Sequence, residues 1–478
     1  MIVQKLGKDA TIYGGSDFIT RLVAFFVFPL IAAALSADGF GALELLVTVT
    51  SLLGMVMNCG LNNAVQRHYW DKETPPAARP SIVTSGFFAL FTFGLALLVC
   101  VLIISPFLHP FLEDKGVPFG WIALIAATCV AVFTQWIQYF LDVARLQFSV
   151  WKFFRLAVSS RVFSLIAGVV ALVGFDLGIE GLLTGQAIIL LLLLPFALLS
   201  VQKDFRFSSF EYHRMVSLVQ FGYPFIHAGI AFWLLGAIDR WMLAYMLNTE
   251  EVGIYSVAFR LASVVLFVSI AFGQAWSPIS VKIRTDYPSQ YRSIYGEVLV
   301  LLLVIMMVSA GGFSLFAGEV IGFLMPVEYR HSAIPLIILC FGIVLQATQQ
   351  ITAVGISLEK KTFLFARLAW LTAIVNFLVN WVLIPYFGAT GAAIGTLISY
   401  IFLTGGYLVF TQILHPILLH WKSLFLVFSA GFGIFFVSII LLSFSLEWQI
   451  LLFKVFLGIA GLIFLWTKIS LNTLKKIR

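Results

Sequence analysis

The amino-acid sequence predicts an all-α membrane protein that crosses the bilayer about 14 times. Hydrophobic residues make up 61% of the 478 residues and charged residues only 11%, whereas soluble domains carry about 25% charged residues. The apolar residues occur in continuous runs of the length, ~20 residues, that a helix needs to cross the hydrocarbon core. These runs lack the period-two alternation of barrel strands, so a helical membrane protein is the predicted class.

The apolar runs, taken in order along the chain, predict the spans and their approximate ends. The ninth run carries a short extension, 316–324, which lies outside the span itself. The predicted spans are residues 11–35, 40–61, 82–107, 119–141, 157–175, 179–199, 218–247, 253–276, 295–315, 334–356, 363–385, 390–414, 424–444 and 449–466.

The basic residues in the loops predict the orientation of the chain. Loops on one side contain 22 of the 29 Lys and Arg residues, and the alternate loops contain only Lys115 and Arg330. Because cytoplasmic loops carry the excess of Lys and Arg, we expect an even number of spans with both termini in the cytoplasm. The same residues explain the net charge of +7 as topology signals and contacts for anionic lipid, so we expect no nucleic-acid partner. No removable signal peptide is predicted.

An internal repeat predicts the domain organisation. Residues 35–41 resemble residues 247–253 at an offset of 212, and residues 174–181 resemble residues 386–391 at an offset of 210. Each matched segment lies between two spans, so the offsets predict two six-span halves in the same orientation, related by an axis along the membrane normal. The predicted divisions are 1–205, 206–415 and 416–478, the last holding two additional spans.

The sequence carries no pattern typical of an enzyme or a metal protein. The four cysteines fall within apolar runs and lack the spacing of metal ligands. No Walker loop is present, so ATP is not the expected energy source. No external loop is long enough to hold the catalytic groups of a polymerase or glycosyltransferase. We therefore expect no enzyme activity, no cofactor and no metal site.

Three segments resemble a known family. Residues 239–260, which begin Asp-Arg-Trp-Met-Leu and contain Glu-Glu-Val-Gly-Ile-Tyr, resemble the seventh-to-eighth span signature of bacterial polysaccharide flippases. Residues 376–396 are similar to the eleventh-to-twelfth span signature of that family, and residues 60–71 also look similar to it. These flippases are the O-antigen-type (Wzx-like) branch of the multidrug/oligosaccharidyl-lipid/polysaccharide exporter superfamily.

The resemblance implies a function and an architecture. It implies that a lipid-linked oligosaccharide, usually on undecaprenyl diphosphate, moves from the cytoplasmic to the outer leaflet of the bacterial inner membrane for O-antigen or other lipopolysaccharide synthesis. It implies two six-helix bundles around a central cavity that opens to each side in turn. Membrane lipids, a polysaccharide polymerase and assembly proteins are the implied partners. The alternatives are a lipid II flippase, with a more cationic cavity, and an ion-coupled multidrug exporter, with a more acidic one.

The embedded arginines are the candidates for binding the diphosphate, because a guanidinium makes two parallel hydrogen bonds and stays charged. Arg21 lies ~15 Å into the first span, near the midplane, where transporters bind their substrates. Arg240 and Arg260 lie ~10 Å from the external ends of the seventh and eighth spans. In this superfamily the first, second, seventh and eighth spans line the central cleft, so Arg21, Arg240 and Arg260 are the predicted cavity residues.

Embedded acids and amides supply further candidates. If transport is coupled to H⁺ or Na⁺, Asp17 is the preferred coupling residue, although its i,i+4 spacing to Arg21 also predicts a simple intrahelical pair. Asp239 is either a coupling group or a structural partner of Arg260.

The amides Asn62, Asn63 and Gln274 are candidates for sugar contacts, with helix packing as the alternative. Asp142 and Arg145 are expected to form an entrance or interfacial pair. Arg161 and Lys454 are expected near cytoplasmic helix ends, reaching for the headgroups.

Overall fold

The computed structural model describes residues 2–72, 74–114, 119–442 and 448–465. Every regular element in these ranges is a helix, as the sequence predicts. Lys115, the predicted span ends at 443–444 and 466, and the basic residues Lys468, Lys475, Lys476 and Arg478 lie outside the described residues. The chain forms two compact units, unit 1 (Met1–Trp233) and unit 2 (Leu234–Arg478). The division lies inside a helix, and the last two helices belong to unit 2. The divisions after residues 205 and 415 stay predictions.

Unit 1 contains seven helices and the first part of an eighth within the described residues. They are α1 (Ile2–Asn58), α2 (Leu61–Tyr69), α3 (Arg79–Asp114), α4 (Trp121–Leu146), α5 (Val150–Val169), α6 (Gly178–Ser200), α7 (Tyr212–Gly222) and α8 (Pro224–Met246). Helix α1 is two helices joined at Ser36, where φ is 60° and ψ is 174°. The kink lies between the predicted first and second spans, at the polar residues that interrupt the apolar run.

The core of unit 1 forms where α4 packs against α1, α3 and α6, and α5 packs against α1 and α6. Large aromatic side chains fill the contact between α3 and α4: the rings of Phe87 and Phe140 lie 4.7 Å apart. The Tyr139 hydroxyl is buried there and donates to the carbonyl of Val83 at 2.7 Å. This packing holds α1, α4 and α5 side by side, and the candidate site of unit 1 lies on these three helices and on α2.

Unit 2 continues α8 and adds nine helices within the described residues. They are α9 (Thr249–Ala262), α10 (Leu266–Asp286), α11 (Tyr291–Leu315), α12 (Ala317–Leu324), α13 (Ala333–Thr352), α14 (Val354–Leu358), α15 (Phe363–Leu414), α16 (Trp421–Leu442) and α17 (Trp448–Leu465). Helix α13 lies at the centre and packs against α9, α11 and α15. Helices α16 and α17 both pack on α11, so the two additional helices cover one side of this unit.

The helices of the described residues account for all the predicted spans. By length and composition, 10 helices, or 11 with the bent pair α7–α8, can cross a membrane. The two longest, α1 and α15, each contain a kink, at Ser36 and Gly388, and each corresponds to two predicted spans. The short apolar stretch Gln449–Gly461 corresponds to the last one. The count of about 14 therefore agrees with the helices when each kinked helix is counted twice.

The two units carry the same backbone irregularities at the same spacing. Asp176 and Gly388 have φ of 54° and 53°, and Phe148 and Lys360 have φ of 53° and 55°. Both pairs are separated by 212 residues, the offset at which the sequence repeats. Because left-handed backbone is rare outside glycine, two matched pairs indicate that the corresponding helix ends of the two units have the same geometry.

Candidate functional site

Two arginines from different helices converge on one carboxylate in unit 1. Arg21 on α1 donates from Nε to Oδ2 of Asp17 at 2.8 Å. Arg161 on α5 donates from Nη1 to Oδ1 of Asp17 at 3.3 Å, and the same nitrogen reaches the hydroxyl of Thr20 at 3.3 Å. We call Asp17, Arg21 and Arg161 the arginine cluster. With two cations and one anion it carries a net charge of +1.

The arginine cluster is neither at a helix end nor buried. At ~1.5 Å per residue, Arg21 lies about 22 Å from the kink of α1, and Arg161 lies about 20 Å from the end of its own helical segment at Gly174. Both distances fall inside a hydrocarbon core of ~30 Å. The position of Arg21 near the midplane stays a prediction. The exposed fractions of Asp17, Arg21 and Arg161 are 38%, 47% and 48%. Embedded charges face protein or a water-filled cavity, so we expect the exposed side of the cluster to face water.

A pocket with amide and charged walls lies beside the arginine cluster. It has a volume of about 480 Å³, and its polar walls come from Asn62, Asn63, Gln66, Asp142 and Arg145. We call it the amide pocket. Asn62 donates to Asp142 Oδ2 at 2.7 Å, and Asp142 Oδ1 is 4.0 Å from the guanidinium of Arg145. Asn62 Oδ1 is buried and accepts no hydrogen bond from the described residues.

The arginine cluster and the amide pocket are neighbours. Arg161 is close enough to Asp142 for its charge to act on that carboxylate. The guanidinium of Arg145 lies 5.8 Å from the ring centroid of Tyr13, which is one helical turn before Asp17 on α1. Three arginines and two carboxylates thus form one polar surface across α1, α4 and α5. Such a surface can bind an anion through the guanidiniums and a hydroxylated group through the amides.

The charged pair of the 239–260 segment has a different environment. Asp239 and Arg240 lie in the core of unit 2, with exposed fractions of 2% and 6%. Asp239 accepts hydrogen bonds from Tyr255 at 2.7 Å, from Thr396 at 2.7 Å and from Asn380 at 2.5 Å. These donors lie on α9 and α15, so Asp239 joins three helices. Its partners are neutral hydroxyl and amide groups, whereas the sequence suggests Arg260.

Arg240 is held by its own set of contacts. Its Nε donates to Ser256 at 3.1 Å, and its Nη1 donates to the carbonyl of Gly236 at 2.8 Å. The guanidinium lies 5.1 Å from the ring centroid of Phe259, a cation–π distance. These contacts are typical of a residue that holds α8 and α9 together. The role of Arg240 as a cavity residue stays a prediction.

The remaining predicted residues lie at separate places. Arg260 is partly buried on α9, one turn after Ser256, and Gln274 is exposed on α10. Asn63 is an exposed wall of the amide pocket. The structure therefore brings Asp17, Arg21, Asn62 and Asn63 into one region of unit 1.

Two basic residues differ from the sequence-based expectation. Arg161 is not free to reach the headgroups, because its guanidinium pairs with Asp17. Its place among Ser159, Ser160 and Ser164 was the available signal. The prediction for Lys454 is wrong: its side chain is 3% exposed and its Nζ lies 2.5 Å from Glu319 Oε1. In both cases the partner lies far away in sequence.

The helical fold is that of known transporters. A solved structure of the lipid II flippase MurJ in an inward closed conformation superposes with a TM-score of 0.76, at 15% identity, over 98% of this chain and 99% of that one. A multidrug resistance MATE family transporter of the MOP superfamily superposes with a TM-score of 0.65, at 12% identity, over 83% and 94% of the two chains. The chain is thus a multi-pass membrane protein with the MurJ- and MATE-type fold.

The family follows from the sequence match. Residues 6–284 match the model of the family described as polysaccharide biosynthesis protein, and the chain belongs to that family. A probable low-salt glycan biosynthesis flippase of Haloferax volcanii is 22% identical over 49% of this chain and 50% of its own. The Lsg locus putative protein 1 of Haemophilus influenzae is 24% identical over 57% of this chain and 65% of its own. The match therefore spans half to two thirds of these relatives' length.

Proposed function

We propose that the protein is a flippase that moves a lipid-linked oligosaccharide from the cytoplasmic to the outer leaflet of the bacterial inner membrane. The carrier is an undecaprenyl-type diphosphate, and the product is used for a surface polysaccharide such as O-antigen. The observation that carries the proposal is the arginine cluster: Arg21 and Arg161 meet at one carboxylate, and their side chains remain 47% and 48% exposed. Membership of the polysaccharide biosynthesis family supports the substrate class.

The chemistry of the site fits a lipid diphosphate with a sugar headgroup. Two guanidiniums from α1 and α5 can each make bidentate hydrogen bonds to phosphate oxygens. Before the substrate binds, Asp17 orients both guanidiniums, because its two carboxylate oxygens receive one arginine each. The adjoining amide pocket, with the unused acceptor of Asn62, suits the hydroxyl groups of the first sugar.

Asp17 is also the proposed coupling residue. When a diphosphate occupies both guanidiniums, Asp17 loses its partners and then favours a proton or Na⁺. Coupling to H⁺ or Na⁺ in this way links substrate occupancy to the charge of α1.

The proposed topology has both termini in the cytoplasm, which puts the amide pocket on the cytoplasmic side. A polymerase and assembly proteins are the proposed partners that receive the product.

A reconstituted transport assay tests the proposal. The full-length protein is placed in liposomes with a fluorescent undecaprenyl-diphosphate oligosaccharide, and the fraction accessible to an external quencher is followed. Arg161→Ala is expected to lower the flipping rate at least tenfold, since a hydrogen bond to a charged group contributes about 1.5–3 kcal/mol. The matched control is Arg155→Ala, an exposed arginine on the same helix.

The same assay separates the alternatives. Liposomes with labelled lipid II and liposomes loaded with a cationic dye are run in parallel. Transport of lipid II without the oligosaccharide lipid would identify a peptidoglycan precursor flippase, and dye export alone would identify a multidrug exporter. Equal oligosaccharide flipping by empty and protein-containing liposomes would refute the proposed function.

A further inference from the structure

Unit 2 contains a second charged cavity, which none of the proposed steps uses. Its volume is about 650 Å³, and it lies where α9, α12, α15 and α17 meet the segment Val327–Ser332. Its size is within the ~300–1,000 Å³ range of ligand sites. Five titratable side chains line it: Glu251, Glu319, Arg330, His331 and Lys454. We call it the unit 2 cavity.

The Lys454–Glu319 pair is the feature of the unit 2 cavity that needs an explanation. Lys454 belongs to the apolar helix α17, where a buried cation is costly, and it is paired with Glu319 of α12 at 2.5 Å. Only one oxygen of that carboxylate is used: Glu319 Oε2 is buried and has no hydrogen-bond partner among the described residues. A buried unused carboxylate oxygen costs free energy unless a donor arrives. Glu319 therefore lines the cavity with a carboxylate of which one oxygen is not satisfied by any described residue.

The opposite wall is equally well ordered. Glu251 Oε2 accepts from the backbone N–H of Ala389 at 2.6 Å, directly after the kink of α15 at Gly388. This bond caps the second part of α15 and fixes the carboxylate in place. The ring of Phe387 lines the same cavity and is more than half exposed.

The balance of charges selects the class of ligand. Two carboxylates face two permanent cations, Arg330 and Lys454, so the cavity carries no excess charge that would attract a diphosphate. Carboxylates accept hydrogen bonds and cations donate them, and a sugar hydroxyl does both. The exposed ring of Phe387 provides an apolar face against which the C–H face of a sugar can pack. A neutral sugar satisfies each of these groups.

We propose that the unit 2 cavity binds a sugar residue of the transported glycan and that α17 exists in part to supply Lys454 to it. Arg330 lies in a loop of the basic-poor set, which the orientation rule puts on the outer face. The cavity then receives the headgroup after it has crossed. The identity of the glycan rests on the proposed function, whereas sugar binding by itself does not.

Binding of monosaccharides to the purified protein tests this inference. Saturation-transfer NMR on the full-length protein in nanodiscs is recorded with glucose, galactose and N-acetylglucosamine at millimolar concentration. Phe387→Ala is expected to weaken sugar binding about tenfold or more, and so is Glu319→Gln combined with Lys454→Met. The first variant removes an exposed ring, and the second keeps the buried pair neutral, so both should fold. Glu328→Gln, an exposed acid of the same segment that does not line the cavity, is the matched control.

Farnesyl diphosphate is the second probe, and it reports on the arginine cluster. Both cavity variants should bind it like the unsubstituted protein, while Arg161→Ala should lose it and keep sugar binding. Absence of sugar binding, or equal sugar binding by both cavity variants and Glu328→Gln, would overturn the inference. If the unsubstituted protein binds sugars but neither binds farnesyl diphosphate nor flips the lipid-linked oligosaccharide, the result would count against the proposed function alone.

Discussion

Substitution of Asp239 tests whether the most recognisable charged segment of the chain is structural. Asp239→Ala removes the acceptor of three hydrogen bonds, from Tyr255, Asn380 and Thr396. At the ~0.6 kcal/mol average for hydrogen bonds between membrane helices, their loss amounts to about 2 kcal/mol. We therefore expect the free energy of unfolding to fall by about 2 kcal/mol.

A second substitution in the same pair makes the test specific. Asp239→Asn combined with Arg240→Met removes both charges and keeps the side-chain volumes similar. Because asparagine keeps an acceptor oxygen for the donors that surround position 239, the double variant should recover at least half of the lost stability. Asp286→Ala is the control, since Asp286 belongs to an exposed pair with Lys282 on α10. It should change the free energy of unfolding by at most about 1 kcal/mol.

Unfolding by SDS in mixed micelles, followed by circular dichroism, measures these differences, and flipping is measured on the same preparations. If Asp239 has a structural role, transport and stability should both fall in Asp239→Ala and both recover in the double variant. An Asp239→Ala protein that unfolds like the unsubstituted protein but transports nothing would refute this reasoning. It would also make Asp239 a coupling residue, as one of the sequence-based alternatives holds.

Three further predictions concern the arginine cluster and the kink of α15. Arg161→Ala should weaken farnesyl diphosphate binding at least tenfold, whereas Arg155→Ala should leave it unchanged in the same titration. Gly388→Ala should lower the free energy of unfolding by about 1–3 kcal/mol. The φ of 53° strains a residue with a side chain, and the added Cβ would meet the carboxylate of Glu251. An unchanged midpoint of SDS unfolding would contradict this prediction. Glu251→Gln should cost about 0.3–1 kcal/mol in the same assay, because the cap of α15 remains but its charge is lost; a larger loss would mean that the charge has another partner.

The helices could be predicted from the sequence because membrane insertion depends on local composition. Each apolar run of the predicted spans corresponds to a helix or half-helix of the described residues, including the two halves of α1 that meet at Ser36. The pair of Asp17 and Arg21 was equally accessible, because i,i+4 neighbours on one helix meet whatever the rest of the chain does.

Contacts between distant segments could not be predicted in the same way. Arg161 meets Asp17 across 144 residues, and Lys454 meets Glu319 across 135. A basic residue within an apolar run has the same local pattern whether it reaches for the headgroups, pairs with an acid or lines a cavity. Only the packing of its helix decides which partner lies within reach, and for Lys454 the local pattern led to the wrong environment.

The sequence alone therefore determined the class of protein, its spans, its repeat and its family resemblance, since these depend on composition, run length and spacing along the chain. The tertiary structure decided the roles of the embedded charges. It buried Asp239 and Arg240 in a network that joins α8, α9 and α15, and it left Arg21 and Arg161 exposed around Asp17. The physical reason is that the free energy of a charge in a membrane depends on its partners and its access to water, and both are set by which helices pack together.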